Sequence, residues 1–331
     1  MRRRTLLLSL VAAGGLSACV APDRPAAPPP ASPSALPSLT GDIMGSNDSS
    51  SLEPQNVTPY RPPPGSAPAT AFAVGRRDLD FSRGTDRPLP TRVWYPAAGV
   101  APATPAPVDS AAPASGRYPL ILFSHGLTSN PEDFAALLSR WAQAGFVVAG
   151  PAYPHTRYEA PAFDENDVIN QPADAMTVID QLLALTGDPL RGIIDDTRIA
   201  AAGHSGGAIT TIGLFSAQRD TRLKAGLAIA GTDFLSTPFT GPAAAMLFVH
   251  GTDDDTVKYD AGRTVFEAVP WSRAMLTIKG GGHVIEDSSF EAITRTSTEF
   301  WRWSLYGDGA ARTRLPVAAA VGGVASLEQE L

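Results

Sequence analysis

The chain of 331 residues contains a single cysteine, Cys19. One thiol cannot close an intramolecular disulfide, and it cannot supply a cysteine-rich zinc site. A basic surplus is also missing, with 26 Lys and Arg against 33 Asp and Glu. Setting aside Arg2, Arg3 and Arg4 takes the formal charge from −7 to −10, which argues against nucleic acid or a bare anionic membrane as partner. No apolar run approaches the ~20 residues that span a bilayer. There is no internal repeat, no Walker loop, no dinucleotide glycine fingerprint and no metal-ligand cluster. No cofactor and no metal are therefore expected.

What is present begins with "MRRRTLLLSLVAAGGLSAC": a basic start, an apolar stretch from Leu6 to Ala13, then small residues. This reads as an export signal. "LSAC" at 16–19 resembles a lipoprotein processing site, which makes residues 1–18 the signal and Cys19 the attachment point of an acyl anchor in a lipid bilayer. The expected location is the bacterial cell envelope, with a secreted or periplasmic protein as the fallback. Arg3-Arg4 leaves both the general and the twin-arginine export routes open. Residues 19–70 are dense in Pro, Ala and Ser and read as a semi-extended tether. A catalytic domain is expected over 71–310, large enough for one α/β core. Residues 311–331 read as a low-complexity tail, frayed or briefly helical.

Within the domain, apolar runs alternate with amphipathic stretches. "YPLILFS", "FVVAGP", "RIAAAGH", "LKAGLAIAG", "AMLFVHG" and "AMLTIKG" are continuous and bounded by turn residues, as suits parallel strands buried on both faces. Helices are expected over 130–145, 171–186, from 206, near 260–268 and over 287–305. The alternation predicts an α/β fold with a mostly parallel twisted sheet, helices on both faces and a small cap insert. In such sheets ligands bind at the carboxyl ends of the strands.

Chemistry-bearing residues fall at those ends. "GHSGG" places Ser205 on a glycine-flanked turn between strand and helix. The G-x-S-x-G pattern alone is weak, occurring by chance about 0.1 times in a chain of this length. It is followed, however, by the acidic run Asp253, Asp254, Asp255 after one strand and by His283 after the next. Serine, acid, histidine is the chain order of nucleophile-elbow hydrolases. A serine hydroxyl needs a histidine to take its proton, and that histidine needs a carboxylate to fix its tautomer. Of the five histidines, His283 alone follows the acid. His125 and His250 are expected to orient loops, and His204 to point away from the nucleophile's face. His155 lies in the insert, where it is placed to touch substrate. Oxyanion donors are expected from the amides of Gly206 and Leu127.

With "FSHGLTS", "FVVAGPAYPH", "RIAAAGHSGG", "LFVHGTDDDTV" and "GGGHV" in place, the chain resembles the α/β-hydrolase superfamily over about 71–305. Within it the chain resembles serine esterases of the dienelactone-hydrolase-like and platelet-activating-factor-acetylhydrolase-related kinds, and cutinases share the architecture. The resemblance implies a triad of Ser205, Asp254 and His283. A relative's H-G-x-x-D-x-x-V-P-Y pattern selects Asp254, while the cutinase-like placement selects Asp255, and Lys258 stands where proline is usual. A serine where true dienelactone hydrolases carry cysteine removes dienelactone as the default substrate. The implied activity is hydrolysis of carboxylic esters through an acyl-enzyme.

The insert at 154–170 is too short for a large lid, so small soluble or short-chain esters are expected, with Arg157 and Tyr158 as possible contacts. A polyester or cutin depolymerase is the same-fold alternative, for which Tyr153, Phe234 and Trp271 are the aromatic candidates. A non-catalytic binding protein on a hydrolase scaffold is the alternative of a different class.

Overall fold

A computed structural model describes residues 57–234 and 236–331. The expected signal, Cys19 and most of the expected tether lie outside the described residues.

The domain opens with an antiparallel hairpin, β1 (Ala73–Arg83) and β2 (Arg87–Ala97), followed by a two-residue strand β3 (Val108–Asp109). The series then runs β4 (Tyr118–Ser124), α1 (Ala135–Gln143), β5 (Val147–Pro151), α2 (Gln171–Leu183), α3 (Pro189–Ile193), β6 (Ile194–His204) and α4 (Gly206–Gly213). It continues with β7 (Leu223–Ile229), β8 (Ala245–Gly251), α5 (Tyr259–Ala268), β9 (Arg273–Ile278), α6 (Asp287–Tyr306), α7 (Gly309–Ala319) and β10 (Ala325–Glu330). All the described strands join one sheet in the order β10-β9-β8-β7-β6-β4-β5-β2-β1-β3. The run from β9 to β5 is parallel, and the flanking pairs β10/β9, β5/β2 and β2/β1 are antiparallel.

The apolar runs make this sheet because the pleat divides each of them between two cores. Leu120 and Leu122 of β4, with Met246 and Phe248 of β8, pack against α2 and α5. Ile121 and Phe123, with Leu247 and Val249, pack against α1 and α6 on the other face. Every residue of β4, β5 and β8 is buried. Ahead of α1, Asn130 donates its amide to the Asp133 carboxylate at 2.7 Å, and Pro131 opens the turn.

Two expected boundaries differ. Residues 57–65, read as tether, lie along the domain. Thr58 donates to Pro270 O at 2.8 Å, Tyr60 donates through its hydroxyl to Ser304 O at 3.1 Å, and its ring meets Trp303 edge-on. Gly307, with φ of 70°, ends α6 where a Cβ would collide with Pro63 O. The expected tail carries most of α7, and its last residues form an edge strand paired with β9 from Ala325↔Ile278 to Glu330↔Arg273. No described helix is long and apolar enough to cross a membrane.

Candidate active site

The strand β6 ends at His204 and α4 begins at Gly206, so Ser205 alone carries the reversal. Its backbone is forced to φ 55°, ψ −120°, a conformation that costs a non-glycine residue about 1–3 kcal/mol. The glycines around it are dictated by space. A Cβ on Gly203 would strike Gly207 O, and a Cβ on Gly207 would strike Ser124 O at the end of β4. Ser205 N donates to Ile229 O at 2.9 Å, which pins the turn to β7.

His283, beyond β9, brings Nε2 to 2.8 Å from Ser205 Oγ. Its Nδ1 donates to Asp254 Oδ2 at 2.8 Å. Asp254 is buried, and its other oxygen accepts from the amides of Thr256 at 2.9 Å and Val257 at 2.8 Å. Those amides fix the carboxylate and leave Oδ2 to His283, with His250 Nε2 standing farther off at 3.4 Å. Asp255, the alternative acid, points into solvent and pairs with Lys258 at 2.6 Å. The lysine that stands in place of proline is its partner, and lowers the Asp255 carboxyl below its ordinary range by hydrogen bonding. Asp253 takes a hydrogen bond from Thr252 in the same turn.

Opposite the elbow, β4 leads into His125-Gly126-Leu127. Neither the Leu127 nor the Gly206 amide has a hydrogen-bond partner among the described residues. Leu127 N lies 3.5 Å from where a Cβ on Gly206 would stand, so the two amides are neighbours. Leu127 also lines the cleft. His125 fixes this loop: Nδ1 donates to Gly126 O at 2.7 Å and Nε2 accepts from Tyr153 N at 3.0 Å. Burial lowers its pKa to about 4, so the ring is neutral and holds one tautomer. His250 supports the acid loop by donating through Nε2 to Val257 O at 2.8 Å. Its pKa is lowered by burial as well.

The resulting cleft has a volume of about 560 Å³. Ser205, His204 and His283 stand in it, flanked by Leu127, Phe134, Leu137, Ile285 and Phe290. His204 is a correction. Its ring lies on the cleft side, with Nε2 donating to His283 O at 2.7 Å, because the reversal at Ser205 ends the strand alternation on which the expectation rested. His155 and Arg157 do not line the cleft; His155 is bonded to Ala162 O at 2.9 Å. Tyr158 is exposed, its amide tied to Ser129 O. Tyr153 and Trp271 are core residues, and Tyr153 donates to or accepts from Ser124 Oγ at 2.8 Å. Phe234 is half exposed beside Val168, Ile169 and Ile209, in a recess separate from the cleft.

The sequence reading missed one brace. Thr128 N donates to Thr156 O at 2.7 Å, Thr156 Oγ1 accepts from Gln171 at 2.7 Å, and Gln171 accepts from Thr210 on α4. The insert thereby links the Leu127 loop to the helix that follows Ser205. Only the polar residues at buried helical positions, Gln171 and Thr210, carried a signal. Among the described residues no group of three or more His, Cys, Asp or Glu is arranged to hold a metal ion.

A family model described as chlorophyllase matches residues 80–242, a span that holds Leu127, Ser205 and Gly206 and stops before Asp254 and His283. Taken with the sheet order, the match gives this chain the α/β-hydrolase fold, and over that span the chain is similar to a family of the serine-esterase type.

Proposed function

We propose that the chain is a serine carboxylic-ester hydrolase acting on short-chain or small soluble esters. The observation that carries this reading is the convergence on one cleft of the Ser205–His283–Asp254 hydrogen bonds and two amides that have no partner among the described residues. Ser205 Oγ attacks the ester carbonyl as His283 Nε2 takes its proton, and Asp254 stabilises the imidazolium and keeps Nδ1 protonated. Negative charge developing on the carbonyl oxygen is received by the amides of Leu127 and Gly206. A single such donor is worth about 3–4 kcal/mol to the transition state. His283 returns the proton to the leaving alcohol, and water then enters by the same route in reverse to release the acid.

The small-substrate assignment rests on the short insert at 154–170, which contributes no residue to the cleft lining, and on a volume in the range of small-molecule sites. A second reading, an ester with a large lipophilic group such as the chlorophyll of the matched family's name, is favoured by the apolar walls Leu127, Phe134, Leu137, Ile285 and Phe290. The depolymerase alternative has none of its three aromatic candidates in the cleft: Tyr153 and Trp271 are in the core and Phe234 lies in a separate recess.

Hydrolysis of p-nitrophenyl esters from acetate to palmitate, with chlorophyll alongside, by the full chain and by Ser205→Ala tests the proposal. Turnover highest at short chains and absent in the variant is expected. No turnover on any ester, with no labelling by a fluorophosphonate, overturns it and leaves a binding protein on a hydrolase scaffold. We further propose export and acylation at Cys19, supported by the N-terminal residue pattern. Cys19→Ser should then move the protein from the membrane fraction to the soluble one.

A further inference from the structure

We propose that His204 is a positioning residue for the base, setting the separation of Ser205 and His283 by holding the main-chain carbonyl of His283. This rests on the reading of Ser205 and His283 given above. His204 is covalently joined to the nucleophile and hydrogen-bonded at 2.7 Å to the base's own backbone, so one side chain bridges two groups 78 residues apart. The sheet transmits that distance only through β7, β8 and β9, whereas the His204 bond spans it directly.

The chemistry of the ring suits the role. Burial lowers its pKa to about 4, so a single N–H is present at neutral pH. A carbonyl accepts only from a donor, which puts that proton on Nε2. The bare Nδ1 faces the Leu127 loop, where a Cβ on Gly126 would lie 3.1 Å from it. The ring is packed between Phe134, at 5.3 Å between centroids, and the His283 ring, at 5.0 Å. A neutral neighbour at that distance does not oppose the imidazolium that forms on His283, as a cation would. The segment it steadies, Gly280-Gly281-Gly282-His283, is rich in glycine and carries little stiffness of its own.

The test compares His204→Phe, which keeps a ring but lacks the donor, with His204→Gln, which restores an N–H, in the full chain. Misplacement by an ångström costs about 10²-fold in rate, so kcat on p-nitrophenyl acetate is expected to fall 10- to 100-fold in His204→Phe. KM and Tm should change little, and His204→Gln should recover most of the loss. The low-field proton resonance of His283 Nδ1–H, bonded to Asp254, should shift or broaden in His204→Phe. Wild-type kcat and an unmoved resonance in that variant overturn the proposal, as does a His204→Gln enzyme no better than His204→Phe. If the unmodified chain hydrolyses no ester, it is the functional reading that fails. The resonance then decides the positioning claim alone: displaced in His204→Phe, it stands, and unmoved, it falls.

Discussion

Two concavities of nearly equal size lie on this domain, and they do different things with their polar groups. One, of about 560 Å³, sits at the carboxyl ends of the strands around Ser205. The other, of about 510 Å³, is a groove along α6 between α1 and α7, lined by Arg140, Glu291, Arg295, Glu299, Arg302 and Arg314. The groove is far richer in charge, with four arginines to two glutamates, yet each guanidinium stands beside a carboxylate, and the side-chain atoms left unpartnered there, Arg302 Nε and Thr294 Oγ1, are buried. Arg295 binds Glu291 at 3.0 Å, Arg314 binds Glu299 at 2.8 Å, and Arg140 and Arg302 stand 3.6 Å from the same two carboxylates. In the cleft the polar groups point to a common empty place instead. The two amides are unpartnered among the described residues, and the hydroxyl is polarised by a histidine whose far side is already engaged. Neither volume nor charge distinguishes a reactive site. Hydrogen-bonding capacity left unspent and convergent does.

The strongest way to break this comparison is at the acid. Asp254→Asn leaves the shape but deprives His283 Nδ1 of its carboxylate, and kcat should fall by about 10⁴-fold. Asp255→Asn, one residue away, should change kcat less than twofold, because that carboxylate meets only Lys258. Steady-state rates on p-nitrophenyl butyrate decide it. Equal losses in the two variants would mean that the turn does not hold the acid as described.

The elbow's geometry is tested next. Gly207→Ala drives a methyl into the backbone of Ser124, which cannot step aside without moving the end of β4 and the loop after it that carries Leu127. Overpacking of this kind costs about 1–3 kcal/mol, which for a domain of this size lowers Tm by roughly 2–12 °C. Activity should fall more than stability does, since the amide of Leu127 moves with the strand. Calorimetry and kcat on one preparation separate the two effects.

A smaller effect follows from the buried histidines. The pKa values of His125 and His204 are lowered to about 4 by burial, and that of His250 is lowered as well. The unfolded chain therefore takes up protons, near its ordinary pKa of about 6.5, that the folded chain refuses. Stability from these groups is complete above about pH 6.5 and is lost as pH falls toward 4. Carboxylates such as Asp167 and Asp220 act lower. Burial pushes both up, but hydrogen bonds from Arg87 and Asn170 to the first, and from Arg222 to the second, hold them below the usual range. Their share is lost only below about pH 4. Tm measured from pH 7.5 to 4.5 should decline in the wild type, and less steeply in a His125→Gln, His204→Gln double variant.

How much of this was legible depended on where the determinant lay. The central strands could be read because burial on both faces leaves unbroken apolar runs, as in "LILF" and "MLFV". Serine, acid and histidine could be read from chain order at the strand ends. The resemblance implied Asp254, with Asp255 as the alternative, but the residues by themselves do not choose, since three identical aspartates differ in which of them the amides of Thr256 and Val257 reach. His204 was misread because strand alternation was extended one residue past its end. The docked segment at 57–65 and the strand β10 were missed for a shared reason. The first is held largely by backbone hydrogen bonds, and the second by backbone pairing and ion pairs such as Arg263–Glu328 and Arg273–Glu330, which leave no apolar periodicity.

The least effect is expected in the groove, and it carries the comparison's other half. Arg295 is largely exposed, and its bond to Glu291 is a helical i,i+4 pair of a kind worth about 0.3–0.5 kcal/mol. Arg295→Gln should accordingly shift Tm by about 1–2 °C at most, and should leave kcat and KM for every ester within twofold. The same substitution should flatten what little salt dependence the groove gives to stability, because exposed pairs are screened within a Debye length of about 8–10 Å. A change in kcat or KM beyond twofold would show that the charged groove communicates with the cleft across α6, whose first residue, Asp287, lines the cleft and whose Arg302 lines the groove. The helix would then have to be treated as part of the site it borders.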